Sequence, residues 1–303
     1  MRIPVVAGLF WEALKGWWNH NVPRLGASLS YYTIFALAPV LLVAISVAGA
    51  VFGEDAVRGR VVGELEELTG RSSALVIQQL LARAADQEAG AIAAVVGGVT
   101  FLLTSTGAFL ELQAALNQIW GVKAQPGVNV IGFLKQRFVS FGLVVGIGFL
   151  LLVSLAVSAA LSAAEDWIIG RVPGSALAMQ FASSALSFAV ITVLFALLYK
   201  VLPDVKLAWK DVWVGGAVTA LLFSLGKYLI GLYLGNSAPA SSYAAAGSFI
   251  VFLLWVYYSA QIVLLGAEFT RVWAERTVGP VETVDHAERD DGAPRPLDEQ
   301  LID

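Results

Sequence analysis

An all-α integral membrane protein is the fold class this sequence predicts: six transmembrane helices, an N-terminal interfacial helix, and an external amphipathic helical segment between helices 1 and 2. Three observations carry that prediction. Of the 303 residues, 58% are hydrophobic and 14% charged, whereas a soluble domain carries about 25% charged residues, so a water-facing surface cannot be assembled. Charge-free runs extend over Leu25–Gly53, Ala89–Leu110, Phe138–Ala164, Val172–Tyr199, Val212–Gly226 and Tyr228–Ala267, and a membrane span needs roughly 20 apolar residues. Eight of the nine tryptophans (Trp11, Trp17, Trp18, Trp120, Trp167, Trp209, Trp213 and Trp273) fall outside or beside the ends of the resulting spans, where amphipathic rings favour the headgroup layer.

Each element has its own signal. Val6, Leu9, Phe10, Ala13, Leu14, Trp17 and Trp18 recur at helical spacing with Glu12, Lys15 and Asn19 opposite, which predicts a helix lying in the inner interface; packing on the bundle satisfies the same pattern. Glu12, Lys15 and Arg24 interrupt any apolar leader, so insertion is expected to use the first true span, not a cleaved signal peptide. That span, about 27–52, contains Pro39, which removes an amide donor and displaces the Phe35 carbonyl, so a kink is expected. In the polar stretch that follows, Val57, Val61, Leu65 and Leu68, then Ile77, Leu80, Leu81 and Ala84, mark two amphipathic helices broken near Thr69 and Gly70. Spans two to four are placed at about 90–111, 138–161 and 177–199. The run Tyr228–Ala267 is too long for one helix and contains the turn formers GNSAPASS at 235–242, which sets spans five and six at about 212–234 and 246–268.

These elements form a six-helix membrane domain over 1–279. From Pro280 onward the chain carries eight acids, two arginines and almost nothing apolar, which predicts a disordered acidic cytoplasmic tail over 280–303. With the N-terminus inside, the inner segments hold 13 of the Lys and Arg residues and the outer loops five. Cytoplasmic loops are enriched in these residues, so both termini are expected in the cytoplasm, the chain crossing the membrane in multiple passes.

Enzyme chemistry finds little support. There is no cysteine, and the only histidines are His20 and His286, so thiolate catalysis, disulfides and a histidine metal cluster are excluded. Neither a phosphate-cradling GxxxxGK[ST] nor a GxSxG nucleophile turn is present. A carboxylate-only metal site would have just two intramembrane acids, Glu111 and Glu268, both expected where their helices surface at the inner edge. No cofactor, metal or catalytic residue is assigned, and the chain is not expected to be an enzyme.

Polar residues inside the spans point elsewhere. Lys227 is the one base within a span, and a charge near mid-bilayer costs on the order of 3 kcal/mol. At about 100° per residue, Gly216, Ala220 and Gly231 share its face, as on a side packed against other helices; snorkelling to the outer surface is the alternative. Thr100, Thr104, Gly107, Glu111 and Gln118 fall within roughly a 60° arc, and Tyr257, Gln261 and Glu268 within about 40°. Such stripes face a bundle interior, where they glue helices together or line a polar route. The small-residue pairs Gly49 with Gly53 and Gly142 with Gly146 read as plain helix packing.

GASLSYYTIFALAPVLL, STGAFLELQAALNQIWGV, LYKVLPDVKLAWKDVWVGGA and GSFIVFLLWVYYSAQIVLLGAEFT closely resemble, in order, the signature blocks of the YihY/virulence factor BrkB family of bacterial inner-membrane proteins. The resemblance covers about residues 8–278 and implies a six-helix inner-membrane protein with cytoplasmic termini. Its signature residues fall at Arg24, Ser30, Tyr31, Tyr32, Pro39, Asn117, Trp120, Pro203, Trp255, Tyr257, Tyr258, Gln261 and Glu268. Members have carried the label ribonuclease BN, but metal-dependent nucleases of the usual kind need histidine and aspartate clusters that two separated histidines do not supply. The function expected is that of a transporter or lipid-handling permease for an amphiphilic or anionic solute, with Thr104, Glu111, Lys227, Tyr257, Gln261 and Glu268 along its path. The alternative is a non-transporting envelope-integrity scaffold, with a membrane nuclease or hydrolase third. The expected partners are the lipid bilayer and a lipid or amphiphilic solute, not nucleic acid.

Overall fold

The computed structural model describes residues 3–53, 59, 63, 78, 107–124, 175–236, 244–284 and 287–290. Helix α1 (Ile3–Asn19) is followed at once by α2 (Val22–Phe52), which continues through Pro39. Asn21 makes the joint by adopting φ 54°, a left-handed conformation that asparagine tolerates, and its carbonyl accepts the Arg24 N–H at 2.9 Å. Residues 107–120 form α3, and β1 (Val122–Ala124) comes directly after Gly121. Helices α4 (Ser175–Val201), α5 (Trp209–Asn236) and α6 (Ala244–Val278) complete the bundle, and β2 (Ala287–Arg289) pairs antiparallel with β1.

The predicted spans 27–52, 177–199, 212–234 and 246–268 lie inside α2, α4, α5 and α6. Among the described residues, Gln180–Val201, Trp209–Leu229 and Phe252–Val278 are long and apolar enough to cross a membrane. The predicted span 138–161, most of 90–111 and nearly all of the amphipathic 54–88 segment lie outside the described residues.

Packing concentrates at one end of the bundle. Val22 and Leu25 of α2, Leu116 and Ile119 of α3, Tyr199 of α4, Val212 of α5, and Leu264 and Ala267 of α6 share one core with Leu202, Val205 and Leu207 of the α4–α5 loop. That end also carries Lys200, Lys206, Lys210, Arg271 and Arg276. Toward the other end apolar side chains turn outward, among them Phe181 and Phe188 of α4, Leu225 and Leu229 of α5, and Ile250 and Leu254 of α6, as lipid contact would permit. Hydroxyls inside the helices are satisfied locally. Ser30, Thr33, Thr192, Thr219 and Thr270 each donate to the carbonyl four residues earlier, because an unpaired hydroxyl in an apolar setting is costly.

Three expectations need adjustment. Helix α1 packs on the bundle: Leu9 and Ala13 are buried against Phe269 and Val272 of α6, and the Phe10 and Phe269 rings lie 4.9 Å apart. Its other face leaves Trp11 62% and Trp18 72% exposed. Glu268 does not mark a helix end, because α6 continues ten residues beyond it to Val278; Gly16 of α1 and His20 of the α1–α2 joint lie against it there, and it is buried. The stretch expected to open a disordered tail is docked in part. Val205 bridges to Thr283, the Lys206 N–H donates to the Glu282 carbonyl at 2.8 Å, the Val284 N–H to that of Asp204 at 3.1 Å, and β2 adds to β1. Backbone hydrogen bonds, which need few apolar side chains, do what composition argued against; residues 291–303 lie outside the described residues.

Candidate functional site

The turn between α1 and α2 aims His20 inward. The His20 N–H closes α1 by donating to the Gly16 carbonyl at 2.8 Å, and the left-handed Asn21 then redirects the chain so that the His20 ring is buried. His20 Nδ1 lies 2.5 Å from Oε1 of Glu268, a carboxylate that is 0% exposed. The other oxygen, Oε2, accepts from Arg271 Nε at 3.3 Å and Nη2 at 3.2 Å, while Arg271 Nη1 donates to Glu275 at 3.0 Å. Only glycine fits opposite: a Cβ at Gly16 would stand 2.5 Å from Glu268 Oε2.

Both predicted stripes reach this point. On α3, Gly107 faces Tyr32, Glu111 accepts from Ser28, and the Gln118 amide donates to the His20 carbonyl at 2.9 Å. On α6, Gln261 lies against Gly26 of α2, where a Cβ would overlap its amide, and Glu268 meets His20. The stripes thus descend on α2 from two helices and meet at a residue outside both of them. Gln261 differs from the others in that its amide nitrogen and oxygen are both buried without a hydrogen-bond partner among the described residues.

A second polar knot fastens α3 to the α4–α5 loop. Asn117 donates to Asp204 Oδ2 at 2.7 Å and accepts the Asp204 N–H at 2.9 Å, and Gln113 donates to Oδ1 at 3.1 Å. Asn117→Leu leaves that amide donor and one carboxylate oxygen without this partner in a buried place, so a stability loss of about 1–3 kcal/mol is expected. Chemical unfolding of purified protein measures it, and wild-type stability in the variant would contradict the reading.

The remaining predicted residues divide. Ser30, Trp120 and Pro203 are buried, Arg24, Tyr31 and Tyr32 exposed, and Glu111, Lys227, Trp255, Tyr257 and Tyr258 half-buried. The face Lys227 was expected to share is packed in part: Ala220 is buried, and Gly216 lies against Thr192 and Ala196 of α4. Thr100 and Thr104 lie outside the described residues, as does the Pro39 side chain. Among the described residues no group of three or more acids or histidines is placed to hold a metal ion. Sequence reasoning missed His20, Arg271, Gln113 and Asp204 as site residues. Arg271 was readable, standing three residues after Glu268 and four before Glu275, the spacing at which helix side chains pair. His20 gave no such signal, because its partner lies 248 residues away.

A family model described as virulence factor BrkB matches residues 13–291. A UPF0761 membrane protein of Verminephrobacter eiseniae is 32% identical over 252 residues, covering 80% of this chain and 57% of its own length. Another, of Rhodospirillum centenum, is 32% identical over 287 residues, covering 93% and 61%, and one of Ralstonia nicotianae is 28% identical over 270 residues, covering 88% and 58%. The chain therefore spans 57–61% of the length of these curated relatives. No solved structure matches it. The family match takes in the C-terminal part of α1, the charge cluster, the Asn117–Asp204 knot and the docked strand, and with it the chain belongs to the virulence factor BrkB family of membrane proteins.

Proposed function

We propose that this chain is a multi-pass protein of the bacterial inner membrane, with six spans and cytoplasmic termini, that moves an amphiphilic, anionic solute or lipid across the bilayer. The observation that carries the reading is Gln261. A residue that merely glued helices would be bonded across the interface, yet both of its amide atoms are buried without partners among the described residues, a state that costs about 1–3 kcal/mol. A polar head or water passing between α2 and α6 would complete those bonds. Lys227 on α5 supplies positive charge for an anionic group, and the outward Trp11 and Trp18 of α1 suit the inner headgroup layer. That same aromatic face favours the second reading, a scaffold that holds lipid or a partner and moves nothing.

Reconstitution into otherwise protein-free liposomes separates the two. Movement of one member of a panel of labelled lipids and amphiphilic anions is expected, and none at all would leave the scaffold. Because the chain lacks native cysteine, single cysteines locate the route directly. Those at Tyr257, Gln261 and Thr104 are expected to react with a small polar maleimide in intact membranes, and those at Phe252 and Val263 to stay silent, since thiolate forms only where water reaches. Equal silence at all five positions in folded protein would remove the route.

A further inference from the structure

Two carboxylates, one guanidinium and one imidazole share the buried junction of the α1–α2 turn with α6. With Glu268 and Glu275 ionised and Arg271 between them, the cluster carries one net negative charge when His20 is neutral and none when His20 is protonated. Of the charged groups on the helices packed around it, Arg24 of α2 is exposed and Asp211 of α5 is buried. Helix α3 brings the neutral Gln118 amide to the His20 carbonyl. Helix α1 brings Gly16, sends Lys15 outward to lie 5.7 Å over the Trp11 ring, and ties Glu12 to the exposed Arg276. An uncompensated charge in a buried place is expensive, and one proton removes it.

We infer that His20 and Glu268 form a binding site for one exchangeable proton, which couples a proton gradient to the movement proposed above. Glu268 occupies Nδ1 of the ring, so the Nδ1–H stays in that bond. The incoming proton, taken from water, adds to the lone pair of Nε2; its release restores the neutral ring, and no other bond forms or breaks. The two elements that hold the proton site also hold the unpaired amide. Gln261 lies seven residues before Glu268 on α6, and Gly26, its neighbour on α2, six residues after His20. A change of charge at the turn therefore acts on the same α2–α6 contact. The coupling rests on the transport reading; the proton site does not.

The sequence makes the site easy to observe, because His286→Gln leaves His20 as the only histidine. In the full chain, held in nanodiscs of anionic phospholipid, nitrogen NMR of labelled histidine is expected to show one proton arriving at Nε2 as the pH is lowered through the window in which the chain stays folded, with the Nδ1 proton retained. Glu268→Gln removes the adjacent negative charge and is expected to lower the midpoint. Glu275→Gln, which leaves the His20 bond intact, is expected to lower it by less and keeps the test available if the first variant fails to fold. A ring that holds one protonation state across the window, or a midpoint equal in wild type and both variants, overturns the proton site. Coupling is read in liposomes: a protonophore is expected to abolish solute accumulation by wild type, and His20→Gln to permit only downhill movement. Accumulation that ignores both treatments overturns the coupling and leaves transport standing. No movement by wild type overturns the transport reading and the coupling together, and the titration alone then decides the proton site.

Discussion

Glu268→Ala is expected to lower the stability of the folded chain by about 3–5 kcal/mol, the cost of removing one partner from a buried ion pair. The carboxylate serves two elements at once: Oε1 meets His20 of the α1–α2 turn and Oε2 meets Arg271 on its own helix. Alanine leaves the His20 Nδ1 without an acceptor and Arg271, only 11% exposed, with Glu275 alone. Glu288→Ala provides the control. Its contact with Lys123 spans 3.9 Å between side chains that are 46% and 42% exposed, so a loss of at most about 1 kcal/mol is expected. Chemical unfolding of the two variants in the same detergent makes the comparison. Equal stabilities would show that the buried cluster holds nothing together.

Ending the chain at Gly279 is expected to destabilise it by on the order of 5 kcal/mol relative to ending it at Asp290. The figure follows from the bonds that residues 280–290 make. The Lys206 N–H loses the Glu282 carbonyl, the Asp204 carbonyl loses the Val284 N–H, and the Gly121 carbonyl loses the Asp290 N–H. Arg289, which donates to the carbonyls of Trp120 at 3.1 Å and Val281 at 2.5 Å, goes as well, with the β1–β2 ladder. Each such bond contributes about 1 kcal/mol net, and Val281 is also lost from the face of the core. Folded yield and unfolding midpoints of the two truncations decide the matter. Equal behaviour would mean that the strand rests on the bundle without stabilising it.

That docked strand marks a boundary of what composition reveals. PVETVDHAERD reads as solvated chain because few of its side chains are apolar, but most of the bonds that hold it are backbone bonds to β1 and to the α4–α5 loop, and every residue except proline carries the same backbone donor and acceptor. The helices were legible for the opposite reason. Long apolar runs have few places to go other than lipid or a core, so α2, α4, α5 and α6 fall where the charge-free stretches put them. Glycine–serine–proline chemistry at 235–242 likewise separated α5 from α6 without any knowledge of their neighbours.

By itself the sequence determined that the chain is a helical membrane protein and that Gln261 and Glu268 share one face of the last helix, since both follow from a residue count and a turn of about 100° per residue. Only the tertiary structure decided what those side chains meet. Glu268 found His20, 248 residues away, and Asp204 found Asn117, 87 residues away. Gln261 came to rest against Gly26 with no partner for its amide among the described residues. Periodicity fixes the direction in which a side chain leaves its own helix, but hydrogen bonds and ion pairs act over about 3 Å, and which groups come that close depends on how helices remote in sequence cross.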